Sequence, residues 1–301
     1  MNRKLPLLIL FGATLVSAKI PTRLLIDADT ANEVDDAYAI VRAVIEPSFN
    51  VVGLNSTQWQ VSHYATPETL MDSQRMNNAI LDHLGRRDIP NPMGAYRRLH
   101  DWGDMAQHSA AAYHIISEAH ATPEGEKLTV AVLGAHTNLA SALLIDPTIA
   151  PKLEVYMLGT QYNFDRHIWT KRDFNCVMDI QAIEVVFNQP DLELHVIPVN
   201  VALAMKFGRA EMEEKLTGRH PVADYLRRVW IRHNDGGRTE RTIWDLSVIT
   251  CLIDPSFGEV VTVARPPENG GTPVKVFKSL DGDGIRDEFY AALEKYLYNE
   301  S

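Results

Sequence analysis

Short apolar runs alternate with helical segments along most of the chain, and this alternation constrains the fold more than any other feature. Five β-rich runs end in small or polar residues: RLLIDA (23–28), NVVGLNS (50–56), KLTVAVLG (127–134), KLEVYMLG (152–159) and LELHVIPVN (192–200). Helical patterns lie between or beside them at Val34–Ile45, Pro67–Leu84, Asp104–Ala119, Asn138–Ile145 and Asp179–Phe187. This order is typical of βαβ units and predicts an α/β fold, in which helices flank a mainly parallel central sheet. Functional groups in such sheets gather at the carboxyl ends of the strands.

The remaining chain is less regular. Residues 209–241 are charged and poor in strand signals, which predicts a helical insertion or lid. A short strand, PVKVF (273–277), and a last helix at Ile285–Tyr298 follow. Because no repeat, low-complexity tract or linker divides the sequence, residues 19–301 are predicted to form one domain.

Residues 1–18 have the pattern of a signal peptide. Arg3 and Lys4 precede an apolar stretch that ends at Val16, and cleavage is expected near Ala18. The stretch is short for a membrane span, so an uncleaved anchor is only the alternative. The pattern predicts a secreted or periplasmic protein.

Charge and cysteine content limit the partners. The formal charge of −10 argues against nucleic acid or an anionic membrane as the main partner of the mature protein. Cys176 and Cys251 could pair in an oxidising compartment, although two spaced cysteines do not establish a bridge, and buried thiols are the default expectation. Oligomeric state stays open, and a homo-oligomer is compatible with the sequence.

The stretch LLIDADTANEVDDAYAI (24–40) places five carboxylates at a strand-to-helix junction. Asp27 and Asp29 share one face of the strand end, and Asp35 and Asp36 begin the helix. A helix start favours negative charge, so Asp35 alone could be a capping residue. Four converging aspartates repel one another unless a cation compensates them. The stretch therefore predicts a divalent-metal site, and calcium suits such a flexible set of oxygen ligands.

The same stretch resembles the N-terminal signature, usually D-x-D-x-x-x-D-D, of the inosine–uridine nucleoside hydrolase family. Further segments resemble other family landmarks in the same order: DIPNPMGAYRRL (88–99), LGAHTNLASAL (133–143), MLG (157–159), RDFNCVMDIQAI (172–183) and WDLSVI (244–249). The resemblance covers most of the mature chain. It implies a Rossmann-like nucleoside hydrolase fold and a calcium-dependent hydrolase, which cleaves the N-glycosidic bond of small ribonucleosides to ribose and free base.

The resemblance also implies metal ligands and a base. The implied calcium ligands are the side chains of Asp29, Asp36 and Asp245 and the backbone carbonyl of Leu133. Asp27 would support this shell, because metal-binding carboxylates need orienting partners. Asp29 would also be the catalytic base that accepts a proton from the attacking water. Carboxylates suit this chemistry because glycosidic cleavage passes through a cationic, oxocarbenium-like state.

Sugar contacts follow from the same resemblance. Asp35 would accept hydrogen bonds from the ribose 2′- and 3′-hydroxyls, Asn175 would hold the sugar from the other side, and Asp173 would bind the 5′-hydroxyl. Asp173 stands where the family usually has a longer glutamate, and His167 replaces a family asparagine of the sugar pocket.

The aspartate motif itself departs from the common spacing. Two extra residues separate Asp29 from Asp35, so residues 30–33 must bulge and Asn32 or Glu33 is expected to enter the sugar pocket.

Trp244 bears on the nucleobase. Many family members that accept pyrimidines have a histidine immediately before the late aspartate, whereas stacked aromatic residues act on the base in purine-specific members; Trp244 therefore implies a purine preference. Trp102, in RRLHDWGD (97–104), is implied to face the base as well. Both tryptophans could instead be core or lid aromatics. His100 and His233 are alternative acids for the leaving group.

Other interpretations are weaker or belong to another class. A non-catalytic sugar- or nucleoside-binding protein of the same fold, or a hydrolase of a related ribosyl bond, would also explain the acidic cluster. DADT (27–30) is similar to the haloacid dehalogenase phosphatase motif, but that family leaves the Asp35–Asp36 and Trp244–Asp245 pairs unexplained. DGDGIRDE (281–288) lacks the EF-hand ligand pattern and is predicted to be a polar turn entering the last helix.

Overall fold

The computed structural model describes residues 20–103, 105–233 and 237–299. The strands in these ranges are β1 (Thr22–Ala28), β2 (Phe49–Ser56), β3 (Leu128–Val132), β4 (Leu153–Leu158), β5 (Gln161–Asn163), β6 (Ile168–Thr170), β7 (Glu193–Ile197), β8 (Lys206–Gly208), β9 (Glu240–Thr242), β10 (Gly258–Ala264) and β11 (Pro273–Leu280). The α-helices are α1 (Asp35–Val44), α2 (Thr69–His83), α3 (Ala110–Ala121), α4 (Thr137–Ile145), α5 (Phe174–Met178), α6 (Ile180–Phe187), α7 (Val199–Ala202), α8 (Arg209–Leu216), α9 (Pro221–Arg232), α10 (Leu246–Ile253) and α11 (Gly282–Asn299).

A central sheet of seven strands has the order β10-β11-β7-β4-β3-β1-β2. Every neighbouring pair is parallel except β10 and β11, which are antiparallel. All five strands expected in the first 200 residues lie in this sheet, so the prediction of a mainly parallel α/β fold is confirmed. Two small hairpins, β5–β6 and β8–β9, stand apart from it.

Helices cover both faces of the sheet because its inner strands are apolar on both sides. In β1, Leu24 and Ile26 pack into one hydrophobic cluster with residues of α1, α10 and α11. Leu25, between them, packs into a second cluster with residues of α3, α4 and α6. Such continuous apolar runs are the mark of parallel strands buried on two faces.

Some boundaries differ from the prediction for local reasons. Helix α3 begins at Ala110, where the Ser109 hydroxyl accepts a hydrogen bond from the Ala112 N–H at 3.1 Å; residue 104, the predicted start, lies outside the described residues. Helix α11 begins at Gly282 instead of Ile285. The proline-rich segment 88–99 forms no strand, although its carbonyl groups accept hydrogen bonds from β2, because proline lacks the N–H that a ladder needs.

The predicted helical insertion is present as α8 and α9, which lie between the strands of the β8–β9 hairpin. The ring of Tyr225 on α9 lies 4.8 Å from the ring of His83 at the end of α2. Helix α9 therefore packs near α2, on the side of the sheet that carries α1.

Two other predictions depend on the described range. The predicted signal peptide lies outside the described residues and stays a prediction. None of the helices within 20–103, 105–233 and 237–299 has the length and apolar character to cross a membrane. Cys176 and Cys251 are both buried free thiols, in line with the default expectation.

Candidate active site

A cavity of about 220 Å³ opens at the carboxyl edge of the central sheet. Its walls come from the end of β4, from the segments after β1, β3 and β7, and from the starts of α1, α5 and α10. The lining residues are Asp29, Asn32, Glu33, Asp35, Asp36, Leu133, Leu158, Asp173, Phe174, Asn175, Val199, Trp244 and Asp245. We call this space the aspartate cavity. It lies where an open parallel sheet places its functional groups.

Four aspartates meet on one wall of this cavity. Asp35 and Asp36 begin α1, Asp245 immediately precedes α10, and Asp29 follows β1; none of them is more than 5% exposed. Oxygen atoms of Asp35, Asp36 and Asp245 lie within 4.8 Å of one another. Asp29 and Asp245 are 216 positions apart in the sequence, and the fold brings all four aspartates into one cluster.

Burial makes the ionised state of this cluster costly. Loss of solvent raises the pKa of Asp36 to about 7. It also raises the pKa of Asp29, Asp35 and Asp245 well above the ordinary range, and repulsion from neighbouring carboxylates adds to the effect. Two forms relieve the repulsion: protonation of some carboxyl groups, or neutralisation by a bound cation.

Several oxygen atoms of the cluster also lack partners. Asp29 Oδ2, Asp36 Oδ1 and Asp245 Oδ1 are buried, and none of them accepts a hydrogen bond from a described residue. Buried polar atoms in native proteins nearly always have a partner. Three unpartnered carboxylate oxygens around one space fit a hard divalent cation, whose preferred ligands are oxygens.

Asp27 lies beneath the cluster and does not line the cavity. Its Oδ1 accepts a hydrogen bond at 2.9 Å from the amide of Asn138, which also donates to the carbonyl of Ser56 at 3.0 Å. The amide oxygen of Asn138 accepts from the N–H of Ala95 at 3.0 Å. Burial raises the pKa of Asp27 to about 7, and the bond from Asn138 opposes that rise. Asn138 thus links β1, β2 and the segment at Ala95.

Gly134 permits the approach of β3 to Asp29. A Cβ atom at this position would lie 2.8 Å from the Asp29 side chain and 2.7 Å from that of Thr57. Real Cβ atoms do not come so close to other heavy atoms. Glycine is therefore required where the loop after β3 passes the cluster.

Asn175 and Leu133 form the opposite wall. The amide of Asn175 donates to the carbonyl of Leu133 at 2.5 Å and to that of Leu158 at 3.1 Å. The Leu133 carbonyl has a second lone pair, so this bond is compatible with the ligand role implied for it. Asn175 lines the cavity, and its two hydrogen bonds to these carbonyls use its amide nitrogen, which leaves its side-chain oxygen available as an acceptor.

Asp173 lines the cavity but is engaged by the backbone. It caps α5, and its oxygens accept hydrogen bonds from the N–H groups of Thr160 at 2.6 Å and Cys176 at 3.2 Å. Burial raises its pKa, and these bonds oppose the rise. A 5′-hydroxyl would therefore have to share oxygens that already have donors.

The structure does not bring two of the predicted residues to the cavity. His167 sits at the turn of the β5–β6 hairpin with a left-handed φ of 55°, and its Nδ1 lies 3.2 Å from the Tyr162 hydroxyl. Trp102 is 49% exposed, and the Arg97 guanidinium lies 5.0 Å from its ring centre. Neither residue lines the aspartate cavity.

Sequence reasoning also missed the apolar part of the lining. Leu158 ends β4, Val199 follows β7, and Phe174 precedes Asn175. The strand pattern could have predicted this lining, because parallel strands end at the same edge of a sheet and the residues at those ends converge.

A family model described as inosine-uridine preferring nucleoside hydrolase matches residues 24–287 of this chain. The chain therefore belongs to this family of nucleoside hydrolases, and it is an enzyme of the glycosyl hydrolase type. The family resemblance inferred from the ordered motifs is confirmed.

The proteins to which this chain is similar are distant from it in sequence. The chain is 24% identical to "Probable uridine nucleosidase 2" of Arabidopsis thaliana over 68% of this chain and 67% of that protein. It is 22% identical to the inosine-uridine preferring nucleoside hydrolase of Crithidia fasciculata over 56% of this chain, which spans only 58% of that protein. A solved inosine-guanosine nucleoside hydrolase superposes with a TM-score of 0.74 at 16% identity, covering 91% of this chain and 99% of the other. The last similarity establishes the nucleoside hydrolase fold.

Proposed function

We propose that this protein is a calcium-dependent hydrolase of the N-glycosidic bond of ribonucleosides, with a preference for purines. The observation that carries the proposal is the set of buried, unpartnered carboxylate oxygens of Asp29, Asp36 and Asp245 around one cavity. Family membership supplies the reaction class, and it favours an enzyme over a binding protein that only retained the fold.

The cation would be held by Asp29, Asp36 and Asp245 and by the carbonyl of Leu133, all of which line the cavity. When bound, it supplies positive charge that keeps the aspartates ionised and acidifies a nearby water. The set contains oxygens alone, which is the preference of calcium and magnesium; the flexible arrangement favours calcium.

Asp29 would accept the proton of the attacking water. Its carboxylate lies close enough to Asp35 and Asp36 for their charges to raise its pKa, and its Oδ2 accepts no hydrogen bond from a described residue. A carboxylate held next to the water is a competent general base, and such catalysis typically contributes about 10²–10⁴-fold.

The sugar would lie between Asp35 and Asn175. Asp35 would accept hydrogen bonds from the 2′- and 3′-hydroxyls, and the side-chain oxygen of Asn175 would accept another from the opposite wall. The surrounding carboxylates stabilise the positive charge that develops on the sugar as the glycosidic bond breaks. A deoxy sugar would leave a buried acceptor without a donor and is expected to be a poor substrate.

Trp244 supports the purine preference. It lines the aspartate cavity immediately before Asp245, and its indole would contact the leaving base there. Stacking on an indole favours the larger ring system of a purine. The inosine-guanosine hydrolase of the same fold bears the name of a purine-cleaving enzyme.

The test of this function is a panel of ribonucleosides assayed for released ribose. Inosine, adenosine and guanosine are expected to be cleaved faster than uridine and cytidine, and the 2′-deoxy analogues slowly or not at all. Equal rates for ribo- and deoxyribonucleosides would remove Asp35 from the sugar site. Absence of ribose from every member would contradict the proposed function itself.

We also propose that the protein is secreted or periplasmic, as its first 18 residues suggest. N-terminal sequencing of the protein from its native host is expected to begin close to Lys19. An intact Met1 would contradict the proposal.

A further inference from the structure

A second cavity, of about 510 Å³, adjoins the aspartate cavity. Asn32 and Glu33 line both spaces, so the bulge between Asp29 and Asp35 forms their common boundary. The aspartate cavity, at about 220 Å³, is smaller than the roughly 300–1,000 Å³ typical of ligand sites, whereas the second cavity is within that range. A leaving group that is too large for the aspartate cavity can extend into the second cavity.

One wall of the second cavity is a single face of α9. Tyr225, Arg228, Val229 and Arg232 all line it, at the i, i+3, i+4 and i+7 spacing that places side chains on one side of a helix. The buried residue Trp59 and the half-buried residue Tyr64 also line the cavity. The lining therefore combines aromatic rings with basic side chains.

Two of the three arginines of α9 have no acidic partner among the described residues. Arg75, also in the lining, binds Asp72 at 2.8 Å and Glu68 at 3.1 Å, so its charge is balanced. Among the described residues, Arg228 and Arg232 form no ion pair. The Arg228 guanidinium lies 5.9 Å from the centre of the Tyr225 ring. Guanidinium groups in this state are suited to bind carboxylate or phosphate oxygens.

The joined cavities are thus electrically polarised. The four clustered aspartates line the cavity proposed for the sugar, and Glu33 lies on the boundary that both cavities share. Arg228 and Arg232, which form no ion pair among the described residues, line the second cavity together with the aromatic rings. A ligand complementary to both cavities has a ribosyl group for the first, and an aromatic ring and an anionic group for the second.

We infer that the second cavity is a subsite for ribosides whose aromatic leaving group carries an anionic substituent, which Arg228 and Arg232 recognise. The inference rests on the proposed ribosyl hydrolysis and specifies its substrate class. Neutral nucleosides fill only part of the joined cavities. Anionic ones would gain charge-assisted hydrogen bonds at the α9 end.

Matched pairs of ribosides test the inference. Nicotinamide riboside and nicotinic acid riboside differ at one substituent of the ring, which is an amide in the first and a carboxylate in the second. Adenosine and N6-(1,2-dicarboxyethyl)adenosine place the charge farther from the sugar. In at least one pair, kcat/KM is expected to be at least about tenfold higher for the member that carries the carboxylate, because a charge-assisted hydrogen bond contributes binding energy of that size.

Variants on one helix separate the arginine contacts from general charge effects. Arg228→Met with Arg232→Met is expected to abolish the preference, and Arg228→Lys with Arg232→Lys to restore part of it. Arg227→Met is the matched control, because Arg227 lies on the same helix, pairs with Asp224 at 3.7 Å and does not line the cavity. The ratio of kcat/KM within each pair is expected to stay at the wild-type value in this control.

Two results would overturn the inference while the proposed function stands. In both pairs the member without the carboxylate could be cleaved as well as the member with it, or the preference could survive in the double methionine variant. If no riboside is hydrolysed, the proposed function fails and calorimetric binding of the same pairs decides. Tighter binding of the anionic member, lost in the double variant, supports the subsite, and equal binding contradicts it. Thermal unfolding of each variant checks that the fold is retained.

Discussion

Asp29 combines features that a purely structural aspartate would not need. It is almost completely buried, it faces three other acidic side chains, and one of its oxygens has no partner among the described residues. Gly134 follows β3, and its lack of a side chain lets the backbone pass close to Asp29. Together these features argue that the residue is maintained for chemistry and metal binding at a cost in stability.

Asp29→Asn is expected to lower kcat for the best substrate by at least about 10²-fold. Asparagine has nearly the same shape but is a poor proton acceptor, so the secondary structure should be unchanged. Steady-state kinetics with circular dichroism checks this. Near-normal turnover of the variant would show that Asp29 is not the base.

Trp244→Ala is expected to reduce kcat/KM for inosine more than for uridine, because the larger base loses more stacking area. The calcium affinity should change little, since the aspartates keep their positions. Measurement of both substrates on both proteins checks the prediction. An equal loss for the two nucleosides would mean that the indole does not contact the base.

At the scale of elements, the strand-to-helix junctions assemble the site. The loop after β3 passes against Asp29 at the end of β1, and the Thr137–Asn138 start of α4 locks Asp27 beneath it. A small change in one junction should therefore be transmitted to the aspartates on another.

Gly134→Ala is expected to cost about 1–3 kcal/mol in stability and about tenfold or more in kcat/KM, because its Cβ displaces Asp29. Gly208→Ala is the control, since a Cβ there meets nothing within 4 Å and its backbone needs no positive φ. Urea unfolding and inosine kinetics compare the two variants. Equal behaviour would contradict the tight approach of β3 to the site.

The sequence predicted some elements well and others poorly, for physical reasons. The run Leu24–Ala28 was recognisable because a parallel strand buried on both faces is continuously apolar. Strand β10 was not predicted because it is an edge strand whose residues are all exposed or half-buried. The hairpins β5–β6 and β8–β9 have three residues per strand, too few for a periodic signal.

The candidate site shows the same division. Asp29, Asp35 and Asp36 were predicted because strand ends and helix starts fix where their side chains go, whereas Asp245 was implied by the family resemblance. Trp102 and His167 lie in loops, where spacing does not determine side-chain direction. The arginine-bearing face of α9 was predicted only as part of a helical insertion, because its position over the site depends on tertiary packing.

Over the whole molecule, burial of so many carboxylates couples stability to pH. Burial raises the pKa of Asp27 and Asp36 to about 7 in the folded protein, against a usual value of 3.8. Between these values the folded state holds protons that the unfolded state releases, so stability is lost as the pH rises toward about 7. His136 acts in the opposite direction: burial lowers its pKa from 6.5 to about 4, so it weakens the fold as the pH falls through that interval.

The carboxylates outnumber this histidine, so the metal-free protein is expected to unfold at a lower temperature at pH 8 than at pH 5. Calcium competes with the same protons, and the increase in Tm on adding calcium should therefore be larger at pH 8. Calorimetry at the two pH values, with chelator or calcium, measures both quantities. A calcium effect that is independent of pH would contradict binding at the aspartates.

The most direct test of the account is inosine hydrolysis by chelator-treated protein during a calcium titration. Ribose release is expected to be near background without the ion and to recover along a saturation curve as calcium is added, because Asp29, Asp36 and Asp245 need a cation to be ionised together. The same titration of Asp245→Asn should recover at higher calcium concentrations. Full inosine turnover by the metal-free protein, unchanged by calcium, would contradict the central claim.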